Sequence, residues 1–176
     1  MGMKVMRIIK FLVFCVVTLF IALTGLSLLF PSDLRISRVV NVATPKPATL
    51  RAIADLQSWE KWNQFVRNPQ LTNKKYSPVP SGAGAWFSSD QLKISETGID
   101  TNGIALQWDL KGGKTYQGGI DLLSVNRDSL TVQWWFDLHF RWYPWEKLGA
   151  FVYDRKLGPV MEESLDSLRL FLEKSQ

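Results

Sequence analysis

The chain of 176 residues carries 21 Lys and Arg against 16 Asp and Glu, a net charge of +5 at pH 7. Lys4, Arg7 and Lys10 supply three of those charges, and residues 31–176 hold 18 basic against 16 acidic groups. The pI near 9.4 therefore partly reports a basic N-terminal flank and makes no case for nucleic-acid binding. One cysteine, Cys15, and one histidine, His139, leave no material for an internal disulfide, a thiolate zinc site or a two-histidine metal centre. No glycine-rich phosphate loop, nucleophile elbow or calcium loop occurs, and no cofactor is implied.

The first element is Phe11–Phe30. Its twenty residues hold no charge and no proline, and as a helix they reach ~30 Å, the thickness of a bilayer's hydrocarbon core. A cleaved signal peptide has a shorter apolar region of about 7–15 residues followed by a small-x-small site. Leu28-Leu29-Phe30-Pro31 offers no such site, so residues 11–30 are expected to be a retained transmembrane signal anchor behind a basic tail at 1–10. Lys4, Arg7 and Lys10 outweigh Arg35 and Arg38 across it. That balance sets the N-terminus in the cytoplasm and the following domain outside it, in the periplasm if the source is bacterial. A linker at 31–33 then leads to one domain at 34–176, enough chain for one core.

Leu34, Ile36, Val40 and Val42 predict a strand over 34–43. Thr44-Pro45 signals a helix start, with Thr44 as the capping hydroxyl, and Leu50, Ile53 and Ala54 define an amphipathic helix at 47–56. Ser58 is expected to cap a second short helix that sets Trp59 and Trp62 one turn apart. From about 83 to 140 the period is two. Ile94, Glu96, Ile104, Leu106, Trp108, Tyr116, Ile120, Leu122, Leu130, Val132, Trp134, Phe136 and Leu138 share one parity. Asp109, Asp121 and Asp137, with His139, share the other, so they belong on the wet face of an antiparallel meander and not in a catalytic carboxylate pair. Helical periodicity returns in Leu148, Phe151, Val152 and Arg155, then Met161, Leu165, Leu168 and Leu172. The Gly158-Pro159 pair between them is expected to kink or split this helix.

A sheet with one apolar face must cover it, and the long C-terminal helix is the element available. The wide rings Trp108, Tyr116, Trp134 and Phe136 either fill that core or line a cavity for an apolar ligand; periodicity does not separate the two. Trp142 and Trp145 flank Tyr143-Pro144, either packed at the start of the helix or anchored at a membrane interface.

This order of elements resembles the START-like, or SRPBCC, superfamily. Val39-Val40-Asn41-Val42-Ala43-Thr44-Pro45 is similar to its first strand and helix start, and Ile53 to Asn63, with Trp59-x-x-Trp62, to its helix-to-W-x-x-W stretch. Gly82-Ala83-Gly84-Ala85 resembles its Gly-x-Gly entry to the sheet, Ile94-Ser95-Glu96 the strand after it, and Leu148 to Leu168 its C-terminal helix. The resemblance implies an α+β helix-grip fold: an antiparallel sheet wrapped around a long C-terminal helix, with two short helices after the first strand. It also implies a cavity for lipids, polyketides or other hydrophobic molecules.

On that reading the ligand-binding residues are Glu96, Trp108, Tyr116, Trp134, Phe136, Phe151, Arg155 and Met161, with Glu96 and Arg155 as polar features of one cavity, paired if both are buried. The leading expectation is a membrane-tethered binder of a hydrophobic or lipid-like molecule. A cyclase or dehydratase using Glu96 and Tyr116, and a non-catalytic envelope interaction protein with a filled core, are the alternatives.

Overall fold

The computed structural model describes residues 2–29, 31–126, 129–141 and 143–174. The chain runs α1 (Gly2–Ser27), β1 (Asp33–Val42), α2 (Lys46–Ala54), a 3-10 turn (Ser58–Lys61), α3 (Gln64–Arg67), β2 (Lys75–Tyr76), β3 (Trp86–Ser88), β4 (Leu92–Asp100), β5 (Gly103–Leu110), β6 (Lys114–Asn126), β7 (Ser129–His139) and α4 (Pro144–Glu173). By compactness it divides into two units, Met1–Leu34 with His139–Val152, and Arg35–Leu138 with Tyr153–Gln176.

In the first unit, Val5–Ser27 of α1 contains an 18-residue stretch with a mean hydropathy of 2.5 and is long and apolar enough to cross a membrane. Thr18 and Thr24 donate back to the carbonyls of Phe14 and Phe20, so neither hydroxyl is left unpaired in the apolar run. The helix stops at Ser27 although the apolar run continues. A tight turn closes there, with Leu29 N–H donating to Leu26 O at 3.1 Å, and Pro31, which cannot donate, follows. Lys147 Nζ donates to Ser27 O at 3.1 Å, placing a buried cation on the last carbonyls of α1, where the helix dipole is negative. His139 Nδ1 lies 2.6 Å from Asp33 Oδ1, and Phe140 N–H donates to Ser32 O at 2.8 Å.

The second unit is built on a seven-stranded antiparallel sheet in the order β1-β7-β6-β5-β4-β3-β2. β4 to β7 form the meander expected from the period of two, with Trp108 opposite Tyr116 and Ile120 opposite Trp134. β1 joins β7 at the far edge, where Arg35 pairs with Asp137 and Thr131 Oγ1 donates to Asn41. The inner residues of the sheet and Met161, Leu165, Leu168 and Leu172 of α4 are buried.

Two capping expectations are corrected. Thr44 is not the N-cap of α2: Pro45 takes that position ahead of a helix that starts at Lys46, and Thr44 is buried. Ser58 does not cap the turn that it starts, which is 3-10; its hydroxyl donates backwards, to Ala52 O in the last turn of α2 and to Asp55 O. The Gly158-Pro159 pair does not split α4. Pro159 deprives the Arg155 carbonyl of its N–H partner, but both residues are exposed, so water can serve that carbonyl. Gly158 is buried, and a Cβ there would stand 2.3 Å from the guanidinium of Arg38. Arg38 crosses α4 at that point to reach Asp154 at 3.0 Å and Glu162 at 2.5 Å.

Candidate functional site

Alternation along β5, β6 and β7 places Leu106, Trp108, Ile120, Leu122, Val132, Trp134 and Phe136 on the inner face, each at most 3% exposed. Trp59 and Trp62 meet this face from the 3-10 turn, their ring centroids 5.1 Å apart. Trp59 lies 6.0 Å from Trp108, and Trp62 lies 6.2 Å from Trp134. Phe65 of α3, half-buried, adds a sixth ring at 5.4 Å from Trp108 and 6.1 Å from Phe136. These are the spacings of edge-to-face and tilted aromatic contacts.

The rings differ in how their polar edges are met. Trp59 Nε1 donates to Ile53 O at 2.8 Å. The buried indole N–H groups of Trp62, Trp108 and Trp134, and the amide nitrogen of Asn63, have no acceptor among the described residues. Asn63 is held with its oxygen accepting from Phe65 N–H at 2.9 Å, which leaves the amide nitrogen as the orphan. A buried unpaired donor costs about 1–3 kcal/mol, so this concentration needs a reason.

Glu96 stands on the inner face of β4, beside the register shift between Glu96 and Gly98. The preceding loop turns back through Gly82 and Gly84, at φ of 98° and 100°, a conformation that favours glycine. That turn brings Gly82 N–H to 3.0 Å from Glu96 Oε2, while Oε1 has no partner among the described residues. The residue is 2% exposed. Burial pushes its carboxyl above the ordinary range, and the Gly82 N–H draws it partly back.

Tyr116, half-buried beside Trp108, carries the polar edge of this interior. Its hydroxyl lies 3.4 Å from that of Tyr153 on α4, and Lys114 Nζ lies 3.1 Å from the Tyr153 oxygen. The Tyr116 hydroxyl and then Lys114 hold Tyr153 below the ordinary phenol value, whereas burial pushes Tyr116 above it.

Trp108, Trp134, Phe136 and Met161 are thus buried, Glu96 is buried on the same face of the sheet as the rings, and Tyr116 is half-buried. Arg155 is exposed, and Glu96 accepts from Gly82; the two are not paired, because Arg155 turns to water while α4 buries the neighbouring Gly158. Phe151 falls within α4, but its side chain, like that of Trp145 and all of Trp142, lies outside the described residues. On the outer face, Asp109 accepts from Gln107 and Thr115, Asp121 from the Trp135 indole and Asp137 from Arg35. Sequence reasoning missed Asn63, Phe65, Lys114 and Tyr153 as site residues. The Trp59-x-x-Trp62 spacing was the available signal for the helical side of the ring cluster, whereas nothing local marked the Lys114–Tyr153 meeting, which joins a hairpin to α4.

No family model and no curated protein matches the chain. Solved structures do. A START superfamily protein from Mycobacterium smegmatis aligns at TM-score 0.58 and 12% identity, over 81% of this chain and 99% of that one. Truncated norcoclaurine synthase from Thalictrum flavum aligns at 0.57 and 13%, over 80% and 93%. DynU16, a protein of the dynemicin biosynthetic locus, aligns at 0.56 and 17%, over 81% of this chain and 48% of its own, so the chain spans about half of DynU16. At these identities the likeness is one of fold: the chain has the START-like helix-grip fold.

Proposed function

We propose that the protein is a membrane-tethered binding module that holds a hydrophobic or lipid-like molecule between its sheet and α4. The observation that supports this reading is the set of orphan donors inside an aromatic interior. Trp62, Trp108, Trp134 and Asn63 offer N–H groups that nothing in the described chain accepts, and Glu96 Oε1 adds an unmet polar atom. A ligand with an apolar body and one or two oxygen acceptors would bury its surface against the rings and satisfy those donors. The α1 segment, free of charge from Phe11 to Ser27, supplies the tether. The structural neighbours share the START-like fold, and the family resemblance in the sequence implies a cavity of this kind.

Native mass spectrometry of the full chain released from detergent micelles, followed by organic extraction, tests the reading. A stoichiometric apolar compound is the expected result, and Trp108→Phe or Trp134→Phe, which each delete one donor, should lower its retention. A clean ligand-free mass with no uptake from a lipid mixture overturns it.

A second reading has its own observation. Six rings at centroid distances of 5.0–6.2 Å form a packed cluster, as a filled-core interaction protein would have. The ligand-free outcome favours it. A cyclase-type activity would draw on Glu96, on the inner face of the sheet, and on Tyr116 with its Tyr153–Lys114 neighbours.

A further inference from the structure

We propose that the groove between α2 and the C-terminal end of α4 is a separate binding site for a singly charged amphipathic oxyanion, independent of what the interior holds. The groove is open to solvent on one side and offers about 720 Å³, within the ~300–1,000 Å³ of pockets that take small organic molecules. Its floor is apolar: Ala48 and Ala52 lie one helical turn apart on α2, and their small side chains leave the space that Leu172 and Phe171 face from α4.

Its charge is specific. Lys61 Nζ stands 5.6 Å above the Phe171 ring, and both line the groove. Arg51, also lining it, is exposed and has no carboxylate partner among the described residues, whereas Arg35 and Arg38 are engaged by acidic side chains. The one acid at the groove, Asp55, accepts from Gln57 N–H at 3.0 Å. Two cations against one carboxylate leave a single positive charge over an apolar floor. A neutral guest would use only the floor, and a doubly charged head would carry more negative charge than the groove's net +1 offsets. A carboxylate or phosphodiester monoanion with an apolar body fits both.

Photolabelling of the full chain in an uncharged maltoside detergent provides the test. The probes are a diazirine-bearing decanoate, a diazirine-bearing phosphatidylglycerol and, as the neutral control, a diazirine-bearing decanol, with adducts mapped by peptide mass spectrometry. Adducts of an anionic probe are expected on peptides covering 43–61 and the end of α4. Labelling by decanoate identifies a free amphiphile as the occupant, and labelling by the phospholipid a headgroup. Arg51→Glu with Lys61→Glu should cut this labelling by more than about tenfold, since tenfold is the size of one lost charge-assisted contact and the variant reverses two cations. Arg51→Lys with Lys61→Arg should retain most of it. Both positions are exposed, so circular dichroism should show the variants folded. Equal labelling by decanol, adducts confined to the sheet or α1, or labelling undiminished by charge reversal would each overturn the proposal. Native mass spectrometry of the same samples reports the interior ligand separately, so loss of one reading is distinguishable from loss of the other.

Discussion

Glu96 is a carboxyl buried beside an aromatic interior with one N–H to hold it, and its proton is therefore bound more tightly in the folded protein than in the unfolded chain. The linkage fixes a sign. Stability is highest where the group is protonated in both states, declines as pH rises from the ordinary carboxyl range through the raised folded-state value, and stays lower above it. Glu96→Gln keeps a carbonyl for Gly82 and cannot ionise, so denaturation midpoints of this variant should lose that decline. A pH profile identical to that of the parent would place the carboxyl in water. Tyr153 responds in the opposite direction, since Tyr116 and Lys114 favour its phenolate. An ultraviolet difference titration should show one tyrosine step below the ordinary phenol range, belonging to the Tyr116–Tyr153 pair, and Lys114→Met should move that step upward. A step that ignores Lys114 would remove the ammonium from the pair.

The elements explain why some of this was legible in the chain and some was not. In β6, Gly118-Gly119 passes between two rings of β7. A Cβ on Gly119 would meet Trp135 at 2.7 Å and the Ile104 carbonyl at 2.8 Å, and one on Gly118 would meet the Trp135 carbonyl at 2.9 Å. Gly119→Ala should therefore cost about 1–3 kcal/mol, read as a lower denaturation midpoint, because backbone lies on one side and a large ring on the other. No change would mean that the ring moves aside freely. A period of two shows which residues face inward, so Trp108, Trp134, Phe136 and Glu96 were readable as one face without coordinates. It says nothing about which distant element completes the site. Trp59 and Trp62 met the sheet rings through a 3-10 turn, and Tyr153 reached Tyr116 across 37 positions. Arg155 shows the complementary failure: it shares a helical period with apolar neighbours, yet it lies exposed on α4 while Gly158 takes the buried position. The short β2 and α3 carry too few residues for any period to register.

For the whole chain, α1 predicts fractionation. The full protein should stay in the membrane pellet after alkaline carbonate treatment, and removal of residues 1–27 should release it; release of the intact chain would reassign α1 to a soluble role. Protease added to intact cells' outer compartment should reach residues 33–176 if the basic flank orients the span as expected. Only residues 28–32 separate α1 from β1, so on the proposed reading the ligand's alternative to the protein is the bilayer itself. Moving a hydrocarbon chain from one oily medium to another leaves little hydrophobic gain, however many rings line the interior. Discrimination then falls to what a lipid phase lacks: fixed hydrogen-bond donors. Among thousands of equally greasy molecules, the orphan N–H groups of Trp62, Trp108, Trp134 and Asn63 would act as the filter, and the aromatic bulk around them would merely grant admission.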